Sequence, residues 1–111
     1  MAITQAICNS FKKQLLEADM NFKQTGGDKF KLALYSSTAT LNSATTAFTA
    51  TGQVGNSGQY TSGGGLLVNN GTSISAGVAR CDFADRSFTG VTLTARGALI
   101  YNEAASGDPS V

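Results

Sequence analysis

Val91-Thr92-Leu93-Thr94-Ala95-Arg96-Gly97-Ala98-Leu99-Ile100-Tyr101 is the stretch whose reading decides the fold. Val91, Leu93, Ala95, Leu99 and Tyr101 share one face, and Thr92, Thr94, Arg96, Ala98 and Ile100 share the other. A period of two across β-branched and aromatic residues predicts a strand. Gly97 in its middle predicts a bulge or a close backbone approach. Working outward, residues 29–36 set Phe30, Leu32 and Leu34 against Lys31, Ala33 and Tyr35, and predict a second, half-buried strand. Residues 65–69 form a short apolar run, which Asn69-Asn70-Gly71 ends as a hairpin-type turn. Residues 73–83 alternate again, with Ile74, Ala76 and Val78 on one face.

Toward the N-terminus the period changes. Ile3, Ile7, Phe11, Leu15, Ala18 and Phe22 make one apolar stripe at helical spacing, which predicts an amphipathic helix over about residues 4–24. Thr4 or Asn9 would cap it, Gly26-Gly27 would stop it, and Lys12, Lys13, Glu17 and Asp19 would form its wet face. Such a stripe must be buried on something, and the strands after residue 29 offer a sheet to receive it. The expected fold class is α+β: an N-terminal amphipathic helix packed on a mainly antiparallel β-sheet or small β-sandwich. One domain would cover residues 1–111, with a β-rich region over about 29–103 and a short C-terminal tail.

Only 14% of residues are charged, and the net charge is +1. In place of charge stand 13 Gly, 13 Thr, 11 Ser and 7 Asn. Every lysine lies in the first 31 residues, and residues 32–79 contain no Asp, Glu, Lys or Arg. This balance argues against a generic nucleic-acid binder, which needs clustered Lys and Arg. No apolar run is long enough to predict a membrane-spanning helix. The opening Met1-Ala2-Ile3-Thr4-Gln5 does not read as a Sec signal peptide.

Catalytic templates lack parts. There is no His, so the commonest general base and the commonest zinc ligand are both missing, and the many Ser and Thr have no evident activating partner. Asp82 and Asp85 read as residues that cap a turn between two strands and pair with Arg86, rather than as a carboxylate pair or half a metal site. Cys8 and Cys81 read first as two buried free thiols acting as small hydrophobes, with a bridge between them or between subunits as the alternative. The expectation is a non-enzymatic chain with no cofactor and no metal. Arg96, the one charge in the strongest strand, is expected to pair with Asp82 or Asp85.

A long uncharged stretch cannot all be core in so small a domain, so much of the surface is neutral and hydrogen-bonding. Such a surface lacks the charge that keeps free monomers apart, and suits repeated contact with other subunits. Tyr60, Thr61, Ser62, Leu66 and Leu67 are the expected interface residues, centred on a loop tip.

Several stretches together carry a resemblance. They are Met1-Ala2-Ile3-Thr4-Gln5-Ala6-Ile7-Cys8-Asn9-Ser10-Phe11-Lys12, Phe30-Lys31-Leu32-Ala33-Leu34-Tyr35-Ser36, Asp82-Phe83-Ala84-Asp85 with Phe88, and residues 91–102. This set resembles a group of short tailed-bacteriophage virion structural proteins, decoration- or cement-like, with a Thr-Ala-Arg-Gly-Ala-Leu-Ile-Tyr-Asn strand. The likeness covers both ends and the first strand; residues 41–70 share only a Thr/Gly-rich character. It implies a structural component of a tailed-phage virion, assembled in the host cytoplasm. Small size and a neutral surface favour a capsid decoration (cement) protein that stabilises the head through subunit contacts. Its expected partners are other virion proteins, the major capsid protein first, and copies of itself, with no nucleic acid and no membrane. The alternatives are a neck or tail structural protein, or a host- or carbohydrate-binding module on the virion.

Overall fold

Strand β1 (Phe30–Tyr35) is the axis around which the chain is arranged. It pairs antiparallel with β2 (Gly65–Leu66) on one side and with β5 (Gly97–Asn102) on the other, from Phe30 opposite Asn102 to Tyr35 opposite Gly97. β3 (Asn69–Ser75) and β4 (Val78–Phe83) form a separate two-stranded sheet, and the helix α1 spans Asn9–Leu16. The computed structural model describes residues 3–4, 6–84, 87–105 and 107–111. Among them the architecture is mainly antiparallel β with one short helix.

β1 is buried on both faces, not on one. Phe30 and Leu32 join Cys8, Phe11, Met20, Leu67 and Ile100 in one core, where the rings of Phe22 and Phe30 stack at 4.5 Å. Ala33 and Tyr35 join Ala39, Leu41, Leu99 and Tyr101 in a second core. The alternation assigns the faces correctly, but the chain before β1 covers one face and the loop after it covers the other. Lys31, the charged member of the second face, reaches Glu103 Oε2 at 2.6 Å.

The edge of β1 opposite β5 is shared by two segments. Leu66 sits opposite Lys31, and Gln53 sits opposite Tyr35. Between them Tyr60 supplies what a continuous strand would have supplied. Its buried hydroxyl accepts the Leu34 N–H at 2.9 Å and Gln53 Nε2–H at 2.7 Å. Gly64 closes this junction, because a Cβ there would lie 2.1 Å from the Leu32 carbonyl oxygen. On the outer edge of β5, residues 109–111 run antiparallel alongside it: Asn102 N–H donates to Pro109 O and Val111 N–H to Ile100 O, both at 2.9 Å.

The helix is shorter than the stripe predicts. Asp19 N–H donates to Gln14 O and Ala18 N–H to Leu15 O, the bond pair of a Schellman C-cap, with Ala18 left-handed at φ 61°. That cap ends α1 well before Gly26-Gly27. At the other end Cys8, not Thr4 or Asn9, is the N-cap, without a side-chain cap bond; Asn9 N–H goes to the Ser43 carbonyl. Phe11 is the buried residue of α1, whereas Ile7 and Leu15 are 57% and 46% exposed. The stripe therefore does not act as one continuous packed face.

The strand boundaries differ as well. β1 ends opposite Gly97, so nothing in the sheet can pair with residues 91–95. Thr92 N–H donates instead to Ser57 Oγ at 2.6 Å. A Cβ on Gly97 would lie 2.7 Å from Ile3 Cγ2, so the close approach there is made by a side chain and not by backbone. Asn69-Asn70-Gly71 is not a turn: it lies inside β3 as an irregularity in register, with Gly71 at φ 101° and its N–H bonded to Asn69 Oδ1. The turn falls at Ala76-Gly77, whose positive φ angles of 51° and 79° suit a two-residue hairpin.

Candidate interaction surface

The β3–β4 hairpin is held at its base. The Phe83 ring lies 5.7 Å from that of Phe30 and 6.4 Å from that of Phe22, and Asn69 Nδ2–H donates to the Phe22 carbonyl at 2.8 Å. Beyond that base, residues 72–80 are exposed or nearly so, Ile74 and Val78 among them at 77% and 54%. A two-stranded ribbon with both faces in water gains little from burial. Its outward polar groups are backbone edges and small uncharged side chains, together with Arg80 and Asp82.

The expected loop tip is only partly at the surface. Thr61 and Ser62 are exposed and Leu66 is 43% exposed, but Tyr60 and Leu67 are core residues. Tyr60 is engaged inward by the two hydrogen bonds to its hydroxyl, and its ring meets Phe88 edge-on at 5.1 Å. An apolar groove of about 520 Å³ opens elsewhere, between the N-terminal segment and β5, and is lined in part by Ile3, Ile7, Leu99, Ile100 and Val111.

Arg96 lies at the mouth of that groove, just before β5, and is exposed. Its backbone N–H bonds to the Tyr35 carbonyl at 2.6 Å. Among the described residues the ion pairs are Lys13–Glu17 and Lys31–Glu103, so the Arg96–Asp82 pairing is not formed. Asp82 instead accepts from Asn70 Nδ2 at 3.3 Å across the hairpin, and Asp85 and Arg86 lie outside the described residues. The reason is topological: Asp82 is on the hairpin sheet, while Arg96 leads into the other sheet.

Both cysteines are free thiols. Cys8 is buried; Cys81 is half-buried, its thiol pushed above the usual range by burial and by neighbouring Asp82. The Tyr35 hydroxyl donates to the Thr49 carbonyl at 2.6 Å, and the Tyr101 hydroxyl donates to the Gly63 carbonyl. Burial pushes both up to about 12. These phenols fasten the loops to the sheet and are poorly placed for proton transfer near neutral pH. Among the described residues no three His, Cys, Asp or Glu side chains gather where they could hold a metal ion.

The hairpin is hidden in the sequence because residues 73–83 keep their alternation through the turn. Gly77 is the available signal, but Ala-Gly is a weaker turn pair than Asn-Gly six residues earlier. No family model matches this chain, and the comparisons with curated proteins and with solved structures found no match.

Proposed function

We propose that the chain is a non-enzymatic structural subunit of a tailed-phage virion, acting as a capsid decoration (cement) protein through contacts with the major capsid protein. The observation that carries the assembly part is the exposed β3–β4 hairpin, with Ile74 and Val78 in water on a ribbon that no described element covers. A surface of this kind becomes favourable when a neighbour covers it. The uncharged loops of residues 32–79 support the same reading, because neutral contacts avoid the desolvation and side-chain entropy that charged ones cost. The phage-virion part rests on the resemblance carried by residues 1–12, 30–36, 82–85 with Phe88, and 91–102.

The test is rebinding of the purified chain to particles that lack it, with copy number measured by mass spectrometry. Decoration requires hundreds of copies per particle, whereas the copy number of a single ring would point to the neck or tail. Thr61→Glu places a charge on the exposed loop tip and should weaken rebinding while leaving the circular dichroism spectrum unchanged. Retention should change little with moderate salt, since screening acts on charge. Failure of the wild-type chain to bind such particles would overturn the reading.

A further inference from the structure

The outer edge of β4 is self-complementary. A two-residue turn closes on a hydrogen-bonded pair, here Ser75 with Val78. Val78, Arg80 and Asp82 therefore bond back to β3, and Ala79 and Cys81 direct their backbone N–H and C=O groups outward. Among the described residues no strand or loop takes up that edge. Arg80 and Asp82 flank Cys81, lie on the same face of the strand and are exposed.

We propose that two copies of this chain pair antiparallel along β4, with the two-fold axis at Cys81, to form a four-stranded sheet from two hairpins. In that register Cys81 exchanges both backbone hydrogen bonds with Cys81 of the second copy. Arg80 then stands opposite Asp82 of the second copy, and Asp82 opposite its Arg80. Both are non-hydrogen-bonded pairs, in which facing side chains approach most closely. The charges select this occupant: the pattern Arg80-Cys81-Asp82 attracts its own inverted image, and one residue of slip would lose the match and put inward-bonding groups at the edge. β3 offers no equivalent register, because residues 69–75 carry no charge and are irregular at Asn69/Gly71. Among the described residues Arg80 has no competing ion pair. The pairing also addresses the exposed edge itself, which for a strand in water is an open site of association.

This inference rests on the reading of the chain as an assembly subunit, but the two fail separately, since the pairing is measured in free solution without particles. Sedimentation equilibrium of the wild-type chain should show a dimer that weakens as salt rises. Arg80→Asp alone and Asp82→Arg alone each place like charges opposite one another twice per dimer, and each should raise the dissociation constant roughly tenfold or more. The double variant Arg80→Asp/Asp82→Arg restores both pairs and should restore the dimer, with circular dichroism confirming that all variants fold. Amide exchange at Ala79 and Cys81 should slow with increasing protein concentration. A wild-type chain that stays monomeric to about 1 mM, or a dimer indifferent to the single reversals, overturns the proposal. So does a double variant no better than the singles.

Discussion

Asn102 Nδ2–H donates to Asp28 Oδ2 at 2.8 Å, and Asn102 is fully buried. The same carboxylate oxygen accepts the Asn21 N–H at 3.0 Å, while Asn102 Oδ1 accepts the N–H groups of Ala104 and Ala105. One side chain at the end of β5 thus fixes both the irregular segment before β1 and the chain just past β5. The geometry is that of a satisfied buried polar hub, in which each partner depends on the others.

Asn102→Leu keeps the branching and heavy-atom count but leaves the Asp28 carboxylate facing an apolar group and two backbone N–H groups without an acceptor. The expected loss is about 2–4 kcal/mol in chemical unfolding. A loss below about 0.5 kcal/mol would mean that water or local rearrangement replaces the hub.

This hub is not legible in the sequence, since Asn102 and Asp28 are 74 residues apart and neither sits in a pattern. What is legible is periodic: Phe30 to Tyr35 reads as a strand because its alternation and its length agree. Residues 91–101 read as one long strand because alternation says nothing of how long the partner is, and β1 stops opposite Gly97. The helix stripe misleads for a related reason. Ile7 and Leu15 have helical spacing, but spacing does not reveal a C-cap on an alanine or which stripe members meet the core. The expected interface divides the same way, with Thr61, Ser62 and Leu66 outside but Tyr60 recruited inward to complete the β1 edge.

Phe11 and Leu15 occupy successive positions of one stripe, yet their environments differ. Phe11 is 8% exposed and meets Phe22 edge-on at 5.8 Å; Leu15 is 46% exposed. Phe11→Ala should cost about 3–5 kcal/mol through the cavity it leaves. Leu15→Ala should cost under about 1 kcal/mol. Comparable shifts in thermal unfolding would restore the continuous stripe and refute the short helix.

Ala18 holds the left-handed position of the α1 C-cap, a conformation that favours glycine. Ala18→Gly relieves the Cβ strain at some cost in unfolded-chain entropy, for an expected net gain of about 0.5–1 kcal/mol. Ala18→Val should destabilise, since a β-branched residue fits this region worse still. A higher melting temperature for the valine variant than for the glycine variant would exclude this cap.

Tyr35 and Tyr101 are expected to set the alkaline limit of the fold. Both phenols lie in the same core, and burial pushes each from 10.0 up to about 12. In the unfolded chain they ionise near 10, so between pH 10 and pH 12 the unfolded state has released protons that the folded state still holds. Stability from these groups is therefore fully present below pH 10 and is lost as pH rises toward 12. Each contributes a decline of about 1.4 kcal/mol per pH unit inside that window. Chemical unfolding followed at stepped pH should be flat with respect to these groups up to pH 10 and then fall steeply. Tyrosinate absorbance from the two buried phenols should appear together with the loss of folded structure. Tyr35→Phe separates this mechanism from general charge repulsion. It leaves the Thr49 carbonyl without its donor, so it should lower stability at neutral pH, yet it removes one titrating phenol and should make the alkaline decline shallower. An unchanged slope in Tyr35→Phe would show that the decline comes from groups other than this phenol.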